Sequence, residues 1–252
     1  MPKIQTAVKI IKLFSNWPSY VADYLKLSTG KHTIYKLRNG IFLKTRSASV
    51  DKNIIFEILI DNVYTPKGFE INKKDTIVDV GAHIGVFSVY AATLATQGKV
   101  FAIEPMANNY SLLLANISLN NLQNVTAIKE ALSANNEGKN LNVSTSTGGH
   151  SFIYSENTKE KTMVKTESMS TFIAKHNIQH IDLLKLDCEG AEYEILFNTP
   201  SETLNKIRKI SMECHNIDTE RNSLKLNQFL EFNGYKITIK TDKCIMLYAN
   251  KA

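Results

Sequence analysis

The sequence predicts an α/β fold in which helices cover both faces of a doubly wound, mostly parallel sheet. Short apolar runs alternate with segments of helical period over most of the chain. Residues 75–88 form the clearest unit: the apolar run 77–80 ends at Gly81, and from Val86 the apolar residues recur at helical spacing. Residues 181–197 repeat this pattern of strand, turn and helix. Such units bring strand ends to one edge of a sheet, where α/β proteins bind ligands.

Residues 1–70 are predicted to form an accessory cap, and residues 71–252 the main domain. The first part offers too little apolar surface to fold as an independent domain. Within it, residues 32–46 alternate as two strands would, and the Asn-Gly pair at 39–40 is a strong hairpin signal. Residues 53–63 have a helical pattern.

The N-terminal residues predict an amphipathic helix. Ile4, Val8 and Ile11, and after them Phe14, fall on one helical face, and the Trp-Pro pair at 17–18 is expected to end the helix. One interpretation is a basic helix that rests on a membrane surface. The other is a helix packed on its own domain, which the short length favours.

The main domain is predicted to contain seven strands and five helices in alternation. The polar segment 140–169 interrupts this order and carries two strand-like pieces. The last two strands are expected to pair antiparallel. The predicted strands lie at 77–80, 99–105, 125–132, 181–186, 209–214, 236–241 and 244–249, and the helices at 86–96, 107–121, 170–176, 191–197 and 224–233.

Composition excludes several classes of protein. The 252 residues carry a formal charge of +6 without a dense basic stripe among aromatic residues, so we expect no nucleic-acid partner. No apolar run approaches about 20 residues, so no membrane span is expected. The three cysteines show no CxxC spacing, which favours reduced thiols and a cytoplasmic location. The oligomeric state stays open.

The turn after the first core strand indicates which ligand to expect. It reads GAHIGV, so His83 and Val86 stand where a dinucleotide-binding turn has its second and third glycines. A side chain at His83 would crowd a pyrophosphate. S-adenosylmethionine, which has an amino-acid tail and no phosphate, fits better, and Asp79 could face its ammonium group. The alternative is an ordinary strand–turn–helix without a ligand.

Glu104 is the second candidate contact to this cofactor. It ends an apolar strand and could accept hydrogen bonds from both ribose hydroxyls. The alternative, a solvent-facing loop glutamate, is less favoured because the strand delivers Glu104 to the binding edge. Glu130 and Ala131, near the end of the next strand, fall where an adenine ring would be bound.

Four stretches of the chain resemble the FkbM family of S-adenosylmethionine-dependent methyltransferases. The run KLDCEGAE is the most specific, and 51–66 resembles the segment that precedes the family's first core strand. The resemblance covers about residues 45–215. The four stretches are VDVGAHIGVFS at 78–88, FAIEP at 101–105, EALS at 130–133 and IDLLKLDCEGAEYEIL at 181–196.

This resemblance implies a class I methyltransferase fold, Rossmann-like, with a seven-stranded sheet whose last strand is antiparallel. It also implies methyl transfer to hydroxyl groups of sugars, glycans or natural products. The strand order adds Asp187, which ends the fourth strand beside the cofactor. The residues that the resemblance implies around the cofactor are Asp79, Gly81, Ala82, His83 and Gly85 at the methionine part, Glu104 at the ribose, and Met106, Glu130 and Ala131 at the adenine.

Asp187, Glu213 and His215 are the candidate catalytic residues, because they end the fourth and fifth core strands next to the cofactor. Three roles stay open. One residue could remove the acceptor's proton, for which an imidazole is well suited near neutral pH. Together they could hold a divalent metal, which their spacing does not favour, so no metal site is assigned. They could also only bind substrate hydroxyls.

Three further residues are weaker candidates for binding the substrate. Glu189 and Glu192 precede or begin a helix, where a carboxylate is favourable without any function. His150 lies in a Gly-Gly-His-Ser loop that could contact substrate or be plain surface.

Other functions remain as alternatives. Another S-adenosylmethionine-dependent enzyme could methylate nitrogen or nucleic acid. Methylation of an amine would suit an Asn/Asp-Pro-Pro-Tyr-type run after the fourth strand, but residues 187–190 read DCEG. A non-catalytic module that binds S-adenosylmethionine would have the same fold. A nicotinamide-dependent oxidoreductase is disfavoured by His83 and Val86.

Overall fold

The computed structural model describes residues 2–144 and 158–251. Its helices are α1 Pro2–Leu13, α2 Trp17–Tyr24, α3 Asp51–Leu59, α4 Val86–Leu94, α5 Ala107–Leu119, α6 Met169–Lys175, α7 Glu192–Phe197, α8 Ser201–Leu204 and α9 Ser223–Phe232. Its strands are β1 His32–Lys36, β2 Phe42–Arg46, β3 Thr76–Val80, β4 Lys99–Ile103, β5 Val125–Ile128, β6 Ala131–Leu132, β7 Lys139–Ser144, β8 Thr158–Val164, β9 Thr166–Glu167, β10 Ile181–Leu186, β11 Ile207–Cys214, β12 Tyr235–Thr241 and β13 Ile245–Lys251.

A seven-stranded sheet forms the centre of the described part of the chain, in the order β12-β13-β11-β10-β3-β4-β5. The strands from β11 to β5 run parallel, and β13 runs antiparallel to both of its neighbours. The predicted fold class and the predicted antiparallel pair at the C-terminal end are therefore confirmed. The carboxyl ends of β3, β4, β10 and β11 meet at one edge of this sheet.

Side chains on the two faces of the sheet pack into two separate hydrophobic layers. In β3, Ile77 packs into one layer, whereas Val78 and Val80 pack into the other, as the two-residue period of a strand requires. The layer that contains Ile77 also contains Tyr35 and Ile55 from the predicted cap. The buried residues of the cap and of the main sheet thus belong to one continuous core.

Two glycines allow the turn between β3 and α4 to pack tightly. Gly81 has φ of +77°, and a Cβ there would lie 1.8 Å from the carbonyl oxygen of Asp187. Gly85 has φ of +86°, and a Cβ there would lie 2.5 Å from a side-chain carbon of Leu113. A side chain at Gly81 would force the backbone at Asp187 to move, and one at Gly85 would force the side chain of Leu113 to shift.

Both outer edges of the β1–β2 hairpin are covered by asparagine side chains. Along β2, the amides of Asn116 on α5 and of Asn120, directly after α5, bond to the backbone of Lys44 and Phe42. Along β1, the amide of Asn16 bonds to two backbone groups at 34 and 36. The hairpin is therefore held between α5 and the turn that joins α1 to α2.

The structure corrects two of the predicted elements. The strand predicted at 125–132 is two strands, because after Ile128 the chain leaves the central sheet and β6 pairs with β9 instead. The Trp-Pro pair at 17–18 begins α2 rather than only ending a helix. Proline has no backbone N–H group, and the first turn of a helix does not use one. The predicted hairpin at 32–46 is confirmed.

The packed face of α1 also differs from the predicted one. Phe14, just after α1, is fully buried, and Ile10 and Leu13 pack against the core with it. Val8 and Ile11 are 45% and 43% exposed. Every helix in the described residues is too short or too polar to cross a lipid bilayer.

Candidate active site

A cavity of about 440 Å³ opens at the edge of the sheet where β3, β4, β10 and β11 end. Its volume is in the range of small-molecule sites. Polar groups from the turns that follow these strands meet apolar side chains from α3, β6 and β7 at its wall. The lining residues include Tyr64, Gly81, Ala82, His83, Glu104, Met106, Ala131, Lys185, Asp187, Glu189 and Glu213.

Glu104 follows β4 and is held by the backbone around it. Its two carboxylate oxygens accept the backbone N–H groups of His83 and Met106, each at 2.8 Å. Burial nevertheless raises the pKa of Glu104 to about 7. The carboxylate is thus fixed at the cavity wall, with its remaining acceptor capacity available to the hydroxyl groups of a ligand.

His83 adopts a left-handed conformation, φ +53°, in the turn after β3. Its Nε2 lies 2.9 Å from a guanidinium nitrogen of Arg46, which can only donate, so Nε2 accepts. Burial lowers the pKa of His83 to about 4, which keeps the ring neutral. The other ring nitrogen, Nδ1, is buried without a hydrogen-bond partner in the described residues. Arg46 in turn donates two hydrogen bonds to the carboxylate of Asp51. The sequence did not indicate this series of contacts from Asp51 through Arg46 to His83.

Lys185 is a functional candidate that the sequence analysis missed. It lies beside Asp79 in the pairing of β10 with β3, and its Nζ is 2.9 Å from an oxygen of that carboxylate. It also donates to the carbonyl oxygen of Gly81. Burial alone would lower the pKa of Lys185, but the negative charges of Asp79 and Asp187 raise it. The sequence feature that could have indicated Lys185 is its position as a lysine inside an otherwise mostly apolar strand.

Asp187 lies at the end of β10 and lines the cavity, as predicted. Tyr64 donates its hydroxyl to one carboxylate oxygen of Asp187 at 2.8 Å, and Nζ of Lys185 lies 3.9 Å from the same oxygen. Burial, together with the charge of Asp187, keeps the pKa of Tyr64 well above its usual value, so its hydroxyl remains a donor. These contacts orient the Asp187 carboxylate next to the turn at Gly81.

A cluster of carboxylates surrounds His215 at the ends of β10 and β11. Nδ1 of His215 lies 3.1 Å from the fully buried Glu192, and its Nε2 lies 3.6 Å from Glu189 and 3.9 Å from Glu213. Burial alone would lower the pKa of His215, but the hydrogen bond and charge of Glu192, with Glu189 and Asp187, raise it to about 9. His215 therefore carries a positive charge near neutral pH.

The two cavity-lining glutamates of this cluster are unusually weak acids. Burial raises the pKa of Glu189 to about 7. Burial and the nearby charge of Asp187 also raise the pKa of Glu213. Potential ligand atoms of Asp187, Glu189 and His215 lie within 4.8 Å of one another, so this trio is also close enough to hold a cation.

The structure separates the predicted site residues into two groups. Nine of them line the cavity: Gly81, Ala82, His83, Glu104, Met106, Ala131, Asp187, Glu189 and Glu213. Five other predicted residues are described by the structure but do not line the cavity: Asp79, Gly85, Glu130, Glu192 and His215. His150 lies outside the described residues.

Three roles expected for these residues need correction. Asp79 is fully buried behind the wall, where it binds Lys185 and accepts from Ser88, so it does not face a ligand directly. The carboxylate of Glu130 pairs with lysines 165 and 175 instead of an adenine ring. Gly85 packs against Leu113. Asp79 contributes to the site through Lys185, which lines the cavity.

The residues present fit S-adenosylmethionine. The Glu104 carboxylate offers acceptors for ribose hydroxyls, and Met106 and Ala131 offer apolar surface for a flat ring. The partnerless Nδ1 of His83 can donate to a carboxylate. The site thus has groups suited to the ribose, the adenine and the carboxylate of this cofactor.

Comparison with known proteins agrees with this fit. The family described as "Methyltransferase FkbM domain" matches residues 79–237. The AMB antimetabolite synthetase AmbE of Pseudomonas aeruginosa is 25% identical over 225 residues, which cover 74% of this chain and only 11% of that protein. The 31-O-demethyl-FK506 methyltransferase FkbM of Streptomyces tacrolimicus is 24% identical over 212 residues, which cover 73% of this chain and 82% of that protein.

A solved structure has the same fold. It is the methyltransferase FkbM from Methylobacillus flagellatus KT, which is 16% identical and superposes with a TM-score of 0.54 over 75% of this chain and 47% of that one. The family match covers most of the central sheet and every cavity-lining residue from Val80 to Glu213. The chain therefore belongs to the FkbM family of S-adenosylmethionine-dependent methyltransferases.

Proposed function

We propose that this enzyme methylates a hydroxyl oxygen of a sugar, glycan or other natural product. The observation that carries the proposal is the group of carboxylates at the cavity beside His215, with Glu189 at its centre. A neutral hydroxyl must lose its proton as it is methylated, and this group can receive one. The name of the S. tacrolimicus relative, an O-demethyl-FK506 methyltransferase, agrees with an oxygen acceptor.

Asp187 and Glu189 have different tasks in this proposal. When bound, S-adenosylmethionine supplies an electrophilic methyl group on a sulfonium. Asp187, held by Tyr64 and Lys185, accepts a hydrogen bond from the acceptor and so orients it. Glu189 takes the hydroxyl proton, because its pKa of about 7 lies close to working pH. Glu213, which lines the same wall, binds a further hydroxyl of the acceptor.

His215 acts through Glu189. Glu192 holds Nδ1 of the imidazole, which leaves Nε2 directed toward Glu189. The positive charge of His215 favours the ionised form of Glu189 and so opposes part of the rise in its pKa that burial causes. His215 is therefore a positioning residue in this proposal, and not the base that its place at the end of the fifth strand suggested.

The proposed proton transfer requires no metal. Two cations, Lys185 and the protonated His215, already lie against the carboxylates of this region. Asp187, Glu189 and His215 could nevertheless hold a divalent ion. If a chelator abolishes turnover and Mg²⁺ restores it, a metal ion activates the hydroxyl, and Glu189 does not have the proton-transfer role proposed for it.

The experiment that tests the function is an acceptor screen with S-adenosylmethionine labelled in the methyl group. Sugars, glycan fragments and polyketide alcohols are offered in parallel with amines of similar size, each with and without chelator. We expect label only in hydroxyl-bearing acceptors, as a methyl ether. Label in the amines would favour N-methylation. No transfer to any acceptor, despite cofactor binding, would favour a non-catalytic module.

Replacing Glu104 by alanine should weaken cofactor binding. The variant loses the acceptors proposed for the ribose hydroxyls, and charge-assisted hydrogen bonds of this kind correspond to about 10- to 100-fold in affinity. The sheet should stay intact, because Glu104 lies beyond β4. Calorimetric titration with S-adenosylmethionine measures the affinity, and the melting temperature serves as control. Unchanged affinity would contradict the ribose assignment.

The pH dependence of turnover should follow the pair Glu189 and His215. Below the Glu189 pKa of about 7, that carboxyl is protonated and cannot accept a proton. At saturating substrates, kcat should therefore rise through this value. The charge of His215 lowers the pKa of Glu189, so the His215→Gln variant should move this rise to higher pH. A wild-type profile without this limb, or a limb that His215→Gln leaves in place, would contradict the assignment.

A further inference from the structure

The outer face of α2 is an apolar surface that the domain does not cover. Trp17, Val21 and Tyr24 follow one another at helical spacing and are 40%, 38% and 67% exposed. Leu25 and Leu27, directly after the helix, are 56% and 67% exposed. We call these five residues the α2 face. Contiguous exposed apolar surface on a folded protein indicates a contact with another molecule or a membrane.

The α2 face is firmly anchored from behind. The opposite side of the helix carries Tyr20 and Asp23, which are buried. The ring of Tyr20 packs on Phe14 and Phe56. Asp23 accepts hydrogen bonds from Tyr35 and other groups of the hairpin. Exposure of the outer side is therefore a consequence of how α2 is docked.

The segment of the chain that carries the α2 face is strongly basic. Residues 1–50 contain nine Lys or Arg residues and one acidic residue, Asp23, which gives +8, whereas the whole chain carries +6. Asp23 is buried and paired with Lys52, so the described surface of this segment presents no acidic side chain. Lys26 and Lys31 are exposed next to the apolar residues. The formal charge of this segment therefore exceeds that of the whole chain, and Lys26 lies between Leu25 and Leu27.

We propose that the α2 face docks on an anionic lipid surface. Amphipathic aromatic residues such as Trp17 and Tyr24 prefer the boundary between headgroups and acyl chains. Lysines beside them are attracted by anionic headgroups. A nucleic acid would use the lysines but would leave the apolar residues in water. The proposal is independent of the methyl acceptor, and its failure would leave the proposed O-methylation untouched.

Co-sedimentation of the full chain with vesicles tests this proposal. One set of vesicles is pure phosphatidylcholine and the other contains about one third phosphatidylglycerol. We expect sedimentation with the anionic vesicles, weakened by added salt. Both Trp17→Ser/Tyr24→Ser and Lys26→Glu/Lys31→Glu should lower the partition coefficient by at least about tenfold. These side chains are exposed, so the melting temperature should not change.

The matched control variants change exposed residues in the C-terminal part of the sequence. Leu224→Ser/Phe232→Ser removes two apolar residues that are 71% and 89% exposed, and Lys206→Glu/Lys236→Glu reverses two exposed lysines. Both controls should sediment nearly as the wild type does. The proposal is overturned if the wild type ignores anionic vesicles or if the controls lose binding equally.

Light scattering without vesicles separates membrane docking from self-association. We expect the same mass for the wild type and for Trp17→Ser/Tyr24→Ser. A dimer that this variant dissociates would assign the α2 face to a second copy of the chain and would overturn the proposal.

Discussion

Glu189→Gln should lower kcat by about 10²- to 10⁴-fold, the usual contribution of a positioned proton acceptor. Glutamine preserves the size of the side chain but cannot take a proton from the acceptor hydroxyl. Glu189 is assigned to the acceptor hydroxyl and not to the cofactor. The affinity of the variant for S-adenosylmethionine should therefore stay within about twofold of the wild-type value. Single-turnover kinetics with an identified acceptor, together with calorimetry, measure the two quantities.

Asp187→Asn is the matched comparison for this prediction. Asparagine can still accept the hydroxyl of Tyr64, but it orients the acceptor less well. We therefore expect a higher KM together with a smaller loss of kcat than in Glu189→Gln. If Asp187→Asn abolishes turnover while Glu189→Gln remains active, the proton acceptor is Asp187 and the assignment made here is wrong.

Lys185→Met should destabilise the fold by about 3–5 kcal/mol, the cost of leaving one partner of a buried ion pair alone. Lys185 is 3% exposed and Asp79 is fully buried, so water cannot replace the lost ammonium group. The carbonyl oxygen of Gly81 also loses its donor, which loosens the turn that borders the cavity. Urea denaturation followed by circular dichroism gives the free energy of unfolding.

The double variant Asp79→Asn/Lys185→Met tests the cause of this loss. Removing the orphaned negative charge should recover a large part of the stability, because an uncharged pair avoids most of the desolvation cost. If the double variant is as unstable as the sum of the two single variants, the ion pair is not what stabilises this region.

Much of the fold could be predicted because its signals are local. The apolar run of β3, the turn at Gly81 and the helical spacing after Val86 lie within a few residues of one another. The same holds for Glu104 and Asp187, which the sequence places directly after buried strands. Parallel strands then bring these ends together by the geometry of the sheet alone.

The partners of these residues could not be predicted, because they come from distant parts of the chain. Tyr64 reaches Asp187 across the boundary between the predicted cap and the main domain, and Arg46 reaches His83 in the same way. The role of Asp79 was misassigned because nothing local shows that Lys185 of a neighbouring strand neutralises it. Such contacts depend on tertiary packing, which period and spacing do not encode.

The asparagines along the hairpin have a consequence for self-assembly. A two-stranded hairpin normally presents two rows of backbone groups to which another chain can add a strand, a common first step toward fibrils. Here the amides of Asn116 and Asn120 on β2, and that of Asn16 on β1, occupy backbone groups along those rows. The protein can thus keep a small sheet at its periphery without offering a template for intermolecular strand addition.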